Sequence, residues 1–177
     1  MPTRSDALRN SGRIARATIE ALREQGPEVS LEEVARRAGV GIATVYRRFG
    51  DRDTLVGAAF ETYFAEEIEP LAQAARQADD PWEGLCTALT ATVATLATHR
   101  PLLAAARESH ALTIDIALRF LAPLGEALTA AQRLGQVRPD LEPRDLAALV
   151  IMALATDHHT RYLPLLLDAI RPPSSSG

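Results

Sequence analysis

Residues 31–49 read LEEVARRAGVGIATVYRRF. Two short helical segments are legible in it, Leu31 to Ala38 and Ile42 to Phe49, separated by Gly39-Val40-Gly41. Val34, Ala38, Val40 and Val45 are apolar where two crossed helices must meet, and Ala35 is small where they approach closely. Gly39 stands where a tight turn needs a left-handed backbone, which glycine adopts without a Cβ penalty. The pattern is that of a helix-turn-helix. Ser30-Leu31-Glu32-Glu33 has the form of a capping box: the serine hydroxyl accepts from the N–H of residue 33 and Glu33 reaches back. The second helix of such a motif enters a major groove roughly 12 Å wide. Its outward residues are Ile42, Ala43, Thr44, Tyr46, Arg47 and Arg48. They offer a methyl partner for thymine, hydroxyls for phosphate, and guanidinium forks for guanine or phosphate. A plain helical corner does not need an exposed face of Thr, Tyr and two Arg with no acid. The expected partner is double-stranded DNA.

Outward from the motif, every periodic segment has a helical period and none alternates like a half-buried strand. Residues 1–10 are polar and read as a mobile arm, whose Arg4 and Arg9, with Arg13 beyond, would add phosphate contacts. Ile14, Ala15, Thr18, Ile19 and Leu22 form the first stripe, which Gly26-Pro27 stops. Asp51 caps a long helix carrying Leu55, Val56, Ala59, Phe60, Tyr63, Phe64, Ile68 and Leu71, and Pro70 is expected to kink it. Pro81 opens the next helix, with Trp82, Leu85, Cys86, Leu89, Val93 and Leu96 on one stripe. His99-Arg100-Pro101 starts a short helix to about His110. A further helix runs from about Thr113 to Leu134, with Pro123 inside and Gly135 at its end. The last two helices, Asp145 to Thr156 and Thr160 to Ile170, are apolar nearly all round, and such a helix must be buried on every side. A terminal hairpin on a chain this small is best covered by a second copy. The expected dimer interface is Leu149, Val150, Tyr162, Leu163, Leu166, Leu167 and Ile170.

The fold expected is all-α with about nine helices: a three-helix DNA-binding head over 1–55, a ligand-binding and dimerisation body over 56–171, and a disordered tail over 172–177. Composition agrees. Of 177 residues, 47% are hydrophobic, 24% charged and 5% aromatic, which is globular and neither disordered nor collagen-like. Apolar runs stay short of the ~18 residues of a membrane span, and the polar N-terminus has no apolar signal core. With a single cysteine, Cys86, these features point to a reducing cytoplasm. Residues 1–60 carry ten Arg against eight Asp and Glu; residues 61–177 carry nine against fifteen. A basic head on an acidic body fits a nucleic-acid reader attached to a part with another task. Lysine is absent, which a GC-rich coding bias explains.

Thr44-Val45-Tyr46-Arg47-Arg48-Phe49 followed by Asp51-Arg52-Asp53-Thr54-Leu55 resembles the TetR family of bacterial transcriptional regulators, over about residues 10–60. In that family the second motif helix reads roughly T-[LV]-Y-x-x-F, then an acidic or serine cap and a basic residue opening helix four. The resemblance implies that Thr44 and Tyr46 touch the DNA backbone, that Ile42, Ala43, Arg47 and Arg48 lie near the bases, and that Arg52 meets a phosphate at its helix N-terminus. Ser30 belongs with this DNA-binding set, and Phe49 would be core. Where Gly41-Ile42-Ala43 stand, many members have Ser-Lys-Gly, which implies one fewer phosphate contact here. Arg47-Arg48 is more basic than the common His-Tyr and implies a half-site richer in guanine.

The Asp80-Pro81-Trp82 opening, the stretch VRPDLEPRDL over 137–146 and the closing apolar hairpin resemble a subgroup common in actinobacteria, whose last two helices pair across a twofold axis as a four-helix bundle. The resemblance implies a homodimer on a pseudo-palindromic operator, repressing until a small, mostly apolar inducer swings helix four through the kink near Pro70. The pocket expected for that ligand is Phe64, Trp82, Cys86, Leu89, Thr92, Phe120 and Met152, with Thr92 the polar contact beside the Leu89–Val93–Leu96 stripe. The alternative is a helix-turn-helix regulator without a small-molecule ligand, controlled by a protein partner. Asp157-His158-His159 reads as a polar turn rather than a metal site, His99 and His110 as helix-end residues, and Cys86 as a small hydrophobe. No nucleophile elbow, phosphate loop or paired-carboxylate motif is present, so neither enzyme activity nor a cofactor is expected.

Overall fold

Helical periodicity carries through to every element. The structure, a computed structural model, describes residues 4–172, with side chains from Arg9 onward. The elements in chain order are α1 (Arg4–Gln25), α2 (Leu31–Ala38), α3 (Ile42–Phe49), α4 (Arg52–Tyr63), a π-helical turn (Phe64–Ile68), α5 (Glu69–Gln77), α6 (Pro81–Thr98), α7 (Arg100–Glu108), α8 (Ile114–Arg133), α9 (Pro143–Leu154) and α10 (His159–Ala169). No strand occurs among the described residues. With α4, the π turn and α5 taken as one interrupted helix, the described residues hold the nine helices expected. None of them is long and apolar enough to cross a membrane.

The arm expected over 1–10 is helical from Arg4, because no glycine or proline stands between Thr3 and Ser11 to stop α1. Residues 1–3 and 173–177, which include most of the expected tail, lie outside the described residues, as does the side chain of Arg4. The kink expected at Pro70 takes the form of the π turn just before it. Proline has no N–H to give the carbonyl four residues back, and its ring crowds that carbonyl. The helix widens for one turn over Phe64–Ile68 and restarts as α5 with Pro70 in its first turn, where the missing N–H costs nothing.

The described chain separates into two compact units, one of residues 1–66 with 98–113 and one of 67–97 with 114–177. The division falls after Glu66 rather than after residue 55, and α7 belongs with the head. In the first unit α1 packs against α2, α4 and α7. Its core is Ile14, Leu22, Val34, Val45, Leu55, Phe60, Tyr63 and Leu102, all buried. Arg16 holds Glu66 in a two-pronged ion pair, Nη2 to Oε1 at 2.5 Å and Nε to Oε2 at 3.2 Å, which ties α1 to the π turn and keeps the Glu66 carboxyl below its usual range.

In the second unit α8 packs between α5 and α9, and α9 packs on α10. Leu85, Leu89, Val93, Leu124, Leu128 and Leu146 fill its core. A Cβ on Gly84 would lie 2.6 Å from Ala78 Cβ and 2.8 Å from Ala75 O, so only glycine lets the start of α6 lie this close to the end of α5. Gly84→Ala is expected to destabilise the protein by about 1–3 kcal/mol, because backbone must move to relieve the clash. A urea unfolding midpoint unchanged from wild type would refute that account of the contact.

The terminal hairpin corrects one expectation. Leu149, Val150, Leu163, Leu167 and Ile170, expected at the dimer interface, are buried inside their own unit. These residues form the inner arc of α9 and α10 and hold the hairpin against its own unit. Tyr162 stays exposed and Leu166 half-exposed. The outward apolar row is Ala148, Ile151 and Met152 on α9 with Ala155 at its C-cap, and Tyr162, Leu165 and Ala169 on α10, all exposed. The spacing three or four apart puts each set on one helix face.

Candidate nucleic-acid interface

The motif is assembled from its caps inward. Ser30 is extended (φ −81°, ψ 155°), and its Oγ accepts from Glu33 N–H at 3.2 Å, which starts α2. Gly39 takes the left-handed conformation (φ 63°, ψ 38°) and ends it. The Val40 N–H then donates back to Ala35 O at 3.0 Å, satisfying a terminal carbonyl of α2 and turning the chain into α3. Val45 is the buried anchor of α3. With Val45 inward, 3.6-residue periodicity sends Ala43 and Arg47 outward, with Tyr46 on one flank and Thr44 and Arg48 on the other. Ala43, Tyr46, Arg47 and Arg48 are exposed, and Ile42, Thr44 and Phe49 are half-buried. The face holds no acid.

The structure sorts the arginines of the head into distinct surroundings. On α2, Glu33 accepts from Arg36 Nε at 2.8 Å and Arg37 Nε at 2.6 Å, and Arg37 Nη1 also lies 2.7 Å from Glu24 on α1. These two charges are balanced inside the protein and brace α2 against α1. Glu33 therefore does not close the capping box: two guanidinium groups one turn away outcompete a single backbone N–H. Hydrogen bonds from Arg36 and then Arg37 hold the Glu33 carboxyl at about 2. A lowered acid stabilises the fold above its unfolded pKa, near 4.5, and that contribution drains away as pH falls toward 2. Glu33→Gln is expected to lose this share of the acid sensitivity. Identical unfolding profiles for wild type and variant between pH 5 and 2.5 would count against the pairing.

On the other side of the motif, Arg48 Nε donates to Ser11 Oγ of α1 at 2.5 Å, and Arg52 Nη2 donates to the Pro27 carbonyl. Arg47 extends along α3, its Nη2 3.4 Å from Thr44 Oγ1. Arg47 is therefore the α3 arginine on the outward arc, whereas Arg48 and Arg52 lie against neighbouring segments. The Ser11–Arg48 contact had no signal in the sequence, because it joins residues 37 apart through the packing of α1. Arg13, exposed, donates to Asn10 Oδ1 at 2.8 Å on the same stretch of α1.

The residues expected to line a pocket are dispersed. Phe64 is buried in the first unit; Leu89, Thr92 and Phe120 are buried in the second. Trp82 is half-buried, with the Arg171 guanidinium 4.5 Å over its ring. Burial pushes the half-buried Cys86 thiol up, away from thiolate chemistry. Met152 is 51% exposed on α9. None of the seven lines the cleft of about 380 Å³ that opens between α5 and α6. Leu71, Ala75, Gly84, Ala88 and Ala91 form its walls, with Asp79, Asp80 and Glu83 at its loop end. That cleft was not legible in the sequence, since alanine and glycine on two helices give no pattern distinct from close packing. Among the described residues, no three His, Cys, Asp or Glu side chains are grouped to hold a metal.

Comparison with known proteins agrees with this geometry at both ends of the chain. Residues 14–59 match the model for bacterial regulatory proteins of the tetR family. Residues 80–172 match the C-terminal domain of SbtR-like transcriptional regulators. The HTH-type transcriptional regulatory protein RaaS of Mycobacterium tuberculosis is 31% identical over 145 residues, 80% of this chain; the match spans 66% of RaaS. The HTH-type transcriptional regulator Rv2250c of the same species is 31% identical over 174 residues, covering 93% of this chain and 89% of the relative. The crystal structure of a TetR transcription regulatory protein from Mycobacterium vanbaalenii superposes with a TM-score of 0.71 at 32% identity, covering 96% of this chain and 99% of that one.

Proposed function

The chain belongs to the TetR family of bacterial regulatory proteins, and from that premise we propose that it is a homodimeric repressor released from a pseudo-palindromic operator by a small, mostly apolar ligand. A TetR-family transcriptional regulator binds DNA and is not an enzyme. The observation that carries the finer reading is the outward face of α3, where Ala43, Thr44, Tyr46 and Arg47 stand together with no acid among them. Base edges take Arg47 and the Ala43 methyl; phosphates take Thr44, Tyr46 and the tethered Arg48 and Arg52, with Ser30 at the head of α2. Tethering suits a phosphate contact, since a guanidinium already held in place loses less freedom when it meets the backbone.

Dimerisation is supported by the outward apolar row on α9 and α10, which a twofold copy would cover as a four-helix bundle. One α3 per protomer then meets one half-site. Release follows if the ligand prefers a shape of the body that the operator-bound dimer does not have; the coupling typically amounts to about 1–3 kcal/mol. The π turn between α4 and α5 is the covalent link through which the helix carrying Arg52 would respond.

The test is selection of bound fragments from sheared genomic DNA at about 150 mM salt, where phosphate-only binding is weakened. A few palindromic sites, displaced by a cognate ligand, are the expected outcome. Recovery of all fragments alike would refute the operator reading. Specific sites that no small molecule displaces would leave the DNA-binding role and favour control by a protein partner.

A further inference from the structure

Single π-helical turns inside α-helices are rare and collect at functional positions. Pro70 accounts for the break in the helix, but not for what holds the turn in one geometry. Phe64 and Ile68, its first and last residues, are buried, and Ala65, Glu66 and Glu67 between them are exposed. The boundary between the two compact units falls inside the turn, after Glu66. An arginine meets a glutamate on each side of that boundary. In the first unit Arg16 of α1 grips Glu66, with Nη2 at 2.5 Å and Nε at 3.2 Å. In the second, Arg119 Nη1 of α8 lies 2.9 Å from Glu69 Oε1 at the start of α5.

The stretch from Glu61 to Glu69 carries four glutamates, and Arg16 takes the one inside the π turn with two nitrogens. A two-pronged pair of this kind fixes direction as well as distance. Direction is what distinguishes the two windings. In an α-helical turn the same residues would wind more tightly, and Glu66 would leave the side of the helix that faces Arg16. The pair and the π turn therefore depend on each other. The side chains are 62% and 42% exposed, so the pair adds little to the stability of the fold. Its effect is on geometry. The helix α1 that carries Arg16 also carries Ser11, which holds Arg48 of α3. The helix α4 that ends at the π turn begins with Arg52.

We propose that the Arg16–Glu66 pair latches the π turn, and that through it Arg16 and Glu66 act as positioning residues for the DNA-binding face without touching DNA. With the latch closed, α1 and α4 are held at one setting, so Arg48 and Arg52 meet the backbone already placed. With it open, part of that order must be restored on binding, which weakens it. The proposal rests on the reading of operator binding above and adds two residues outside the DNA face that set its affinity.

The experiment titrates the full chain with its selected operator at four salt concentrations, and measures hydrogen exchange over residues 64–70 and the melting temperature without DNA. It compares the wild type with Arg16→Gln, Glu66→Gln, Glu67→Gln and the exchanged pair Arg16→Glu with Glu66→Arg. Charge alone predicts that Glu66→Gln binds DNA more tightly, since a negative group is lost. The latch predicts the opposite sign: about three- to tenfold weaker binding by the dimer, which loses two such pairs. Arg16→Gln should weaken binding by the same factor with an unchanged salt slope, because no phosphate contact is lost. Both variants should exchange faster over residues 64–70 and melt within about 2 °C of wild type. Glu67→Gln removes the same charge from the next exposed position and should do neither. The exchanged pair should return to within about twofold of wild type. The proposal is overturned if Glu66→Gln binds as tightly as wild type or more so, if Glu67→Gln weakens binding equally, if Arg16→Gln lowers the salt slope by a contact, if the exchanged pair stays weak, or if exchange over residues 64–70 is unchanged. A wild type that selects no operator fails the reading of operator binding and the positioning role with it, whereas the exchange data decide the latch on the π turn by themselves.

Discussion

Leu165→Glu is expected to leave each protomer folded, to convert the protein from dimer to monomer, and to lower operator affinity by about 10²–10⁴-fold. Leu165 is 60% exposed on α10, so a carboxylate there meets water in the isolated chain and costs the fold little. In a twofold bundle the same position faces the partner's apolar row, and an unpaired charge would have to be desolvated at a cost of several kcal/mol. The loss on DNA exceeds the loss of one contact because two linked heads bind their half-sites as one event. Sedimentation equilibrium gives the mass, and titration of a selected operator gives the affinity. Leu134→Glu is the control: Leu134 is also exposed, at 65%, but it lies beyond the end of α8 and outside the α9–α10 row. A Leu165→Glu protein that remains dimeric would exclude this row as the interface.

What the sequence made legible follows from the range of the interactions involved. Helix ends were readable because they depend on near neighbours: Ser30 and Asp51 accept from N–H groups three residues on, at 3.2 and 2.8 Å, and the left-handed turn at Gly39 needs only glycine. The face of α3 was readable because one buried residue, Val45, sets the direction of all the others. The Asp145 side chain, which accepts from Glu142 N–H at 2.8 Å, obeys the same local rule, and it starts α9 at Pro143, two residues before the Asp145 expected to open that helix.

Contacts made through packing were not readable. Ser11 with Arg48, Arg16 with Glu66 and Gln136 with Asp80 join residues 37, 50 and 56 apart, and no spacing announces them. The terminal hairpin shows the limit most plainly. Apolar residues all round α9 and α10 imply burial on every side, yet they do not say which side faces the chain's own core. Leu149 and Leu163 face inward and Ile151 and Leu165 outward, a choice made by the packing of α9 on α8 and of α10 on α9 rather than by the hairpin sequence. The expected pocket and the cleft lie in different places for a related reason. The expectation gathered mainly the large side chains of several helices, whereas this cleft opens where side chains are small, at Ala75, Gly84, Ala88 and Ala91.

Arg47→Ala is expected to relax sequence preference at one position of each half-site and to cost about 1–3 kcal/mol per half-site on the selected operator. Affinity for scrambled DNA should change far less. Arg48→Ala is expected to behave differently, weakening all sequences about equally and lowering the slope of log affinity against log salt by about one phosphate contact per head. The distinction comes from their surroundings. Arg47 lies on the outward arc of α3, and its Nη2 is 3.4 Å from Thr44 Oγ1, a long contact that leaves the fork able to turn toward a guanine edge. Arg48 is drawn to the flank by Ser11 at 2.5 Å, which fixes its guanidinium beside α1. Ser11→Ala should then reproduce part of the Arg48→Ala effect without altering sequence preference, since it removes the tether and keeps the charge. Fluorescence anisotropy at four salt concentrations, on the operator and on a scrambled duplex, separates the two roles. If Arg47→Ala lowers both affinities equally and flattens the salt slope, Arg47 is a phosphate contact. Base reading would then rest with Ile42 and Ala43, and the half-site would lose its expected guanine.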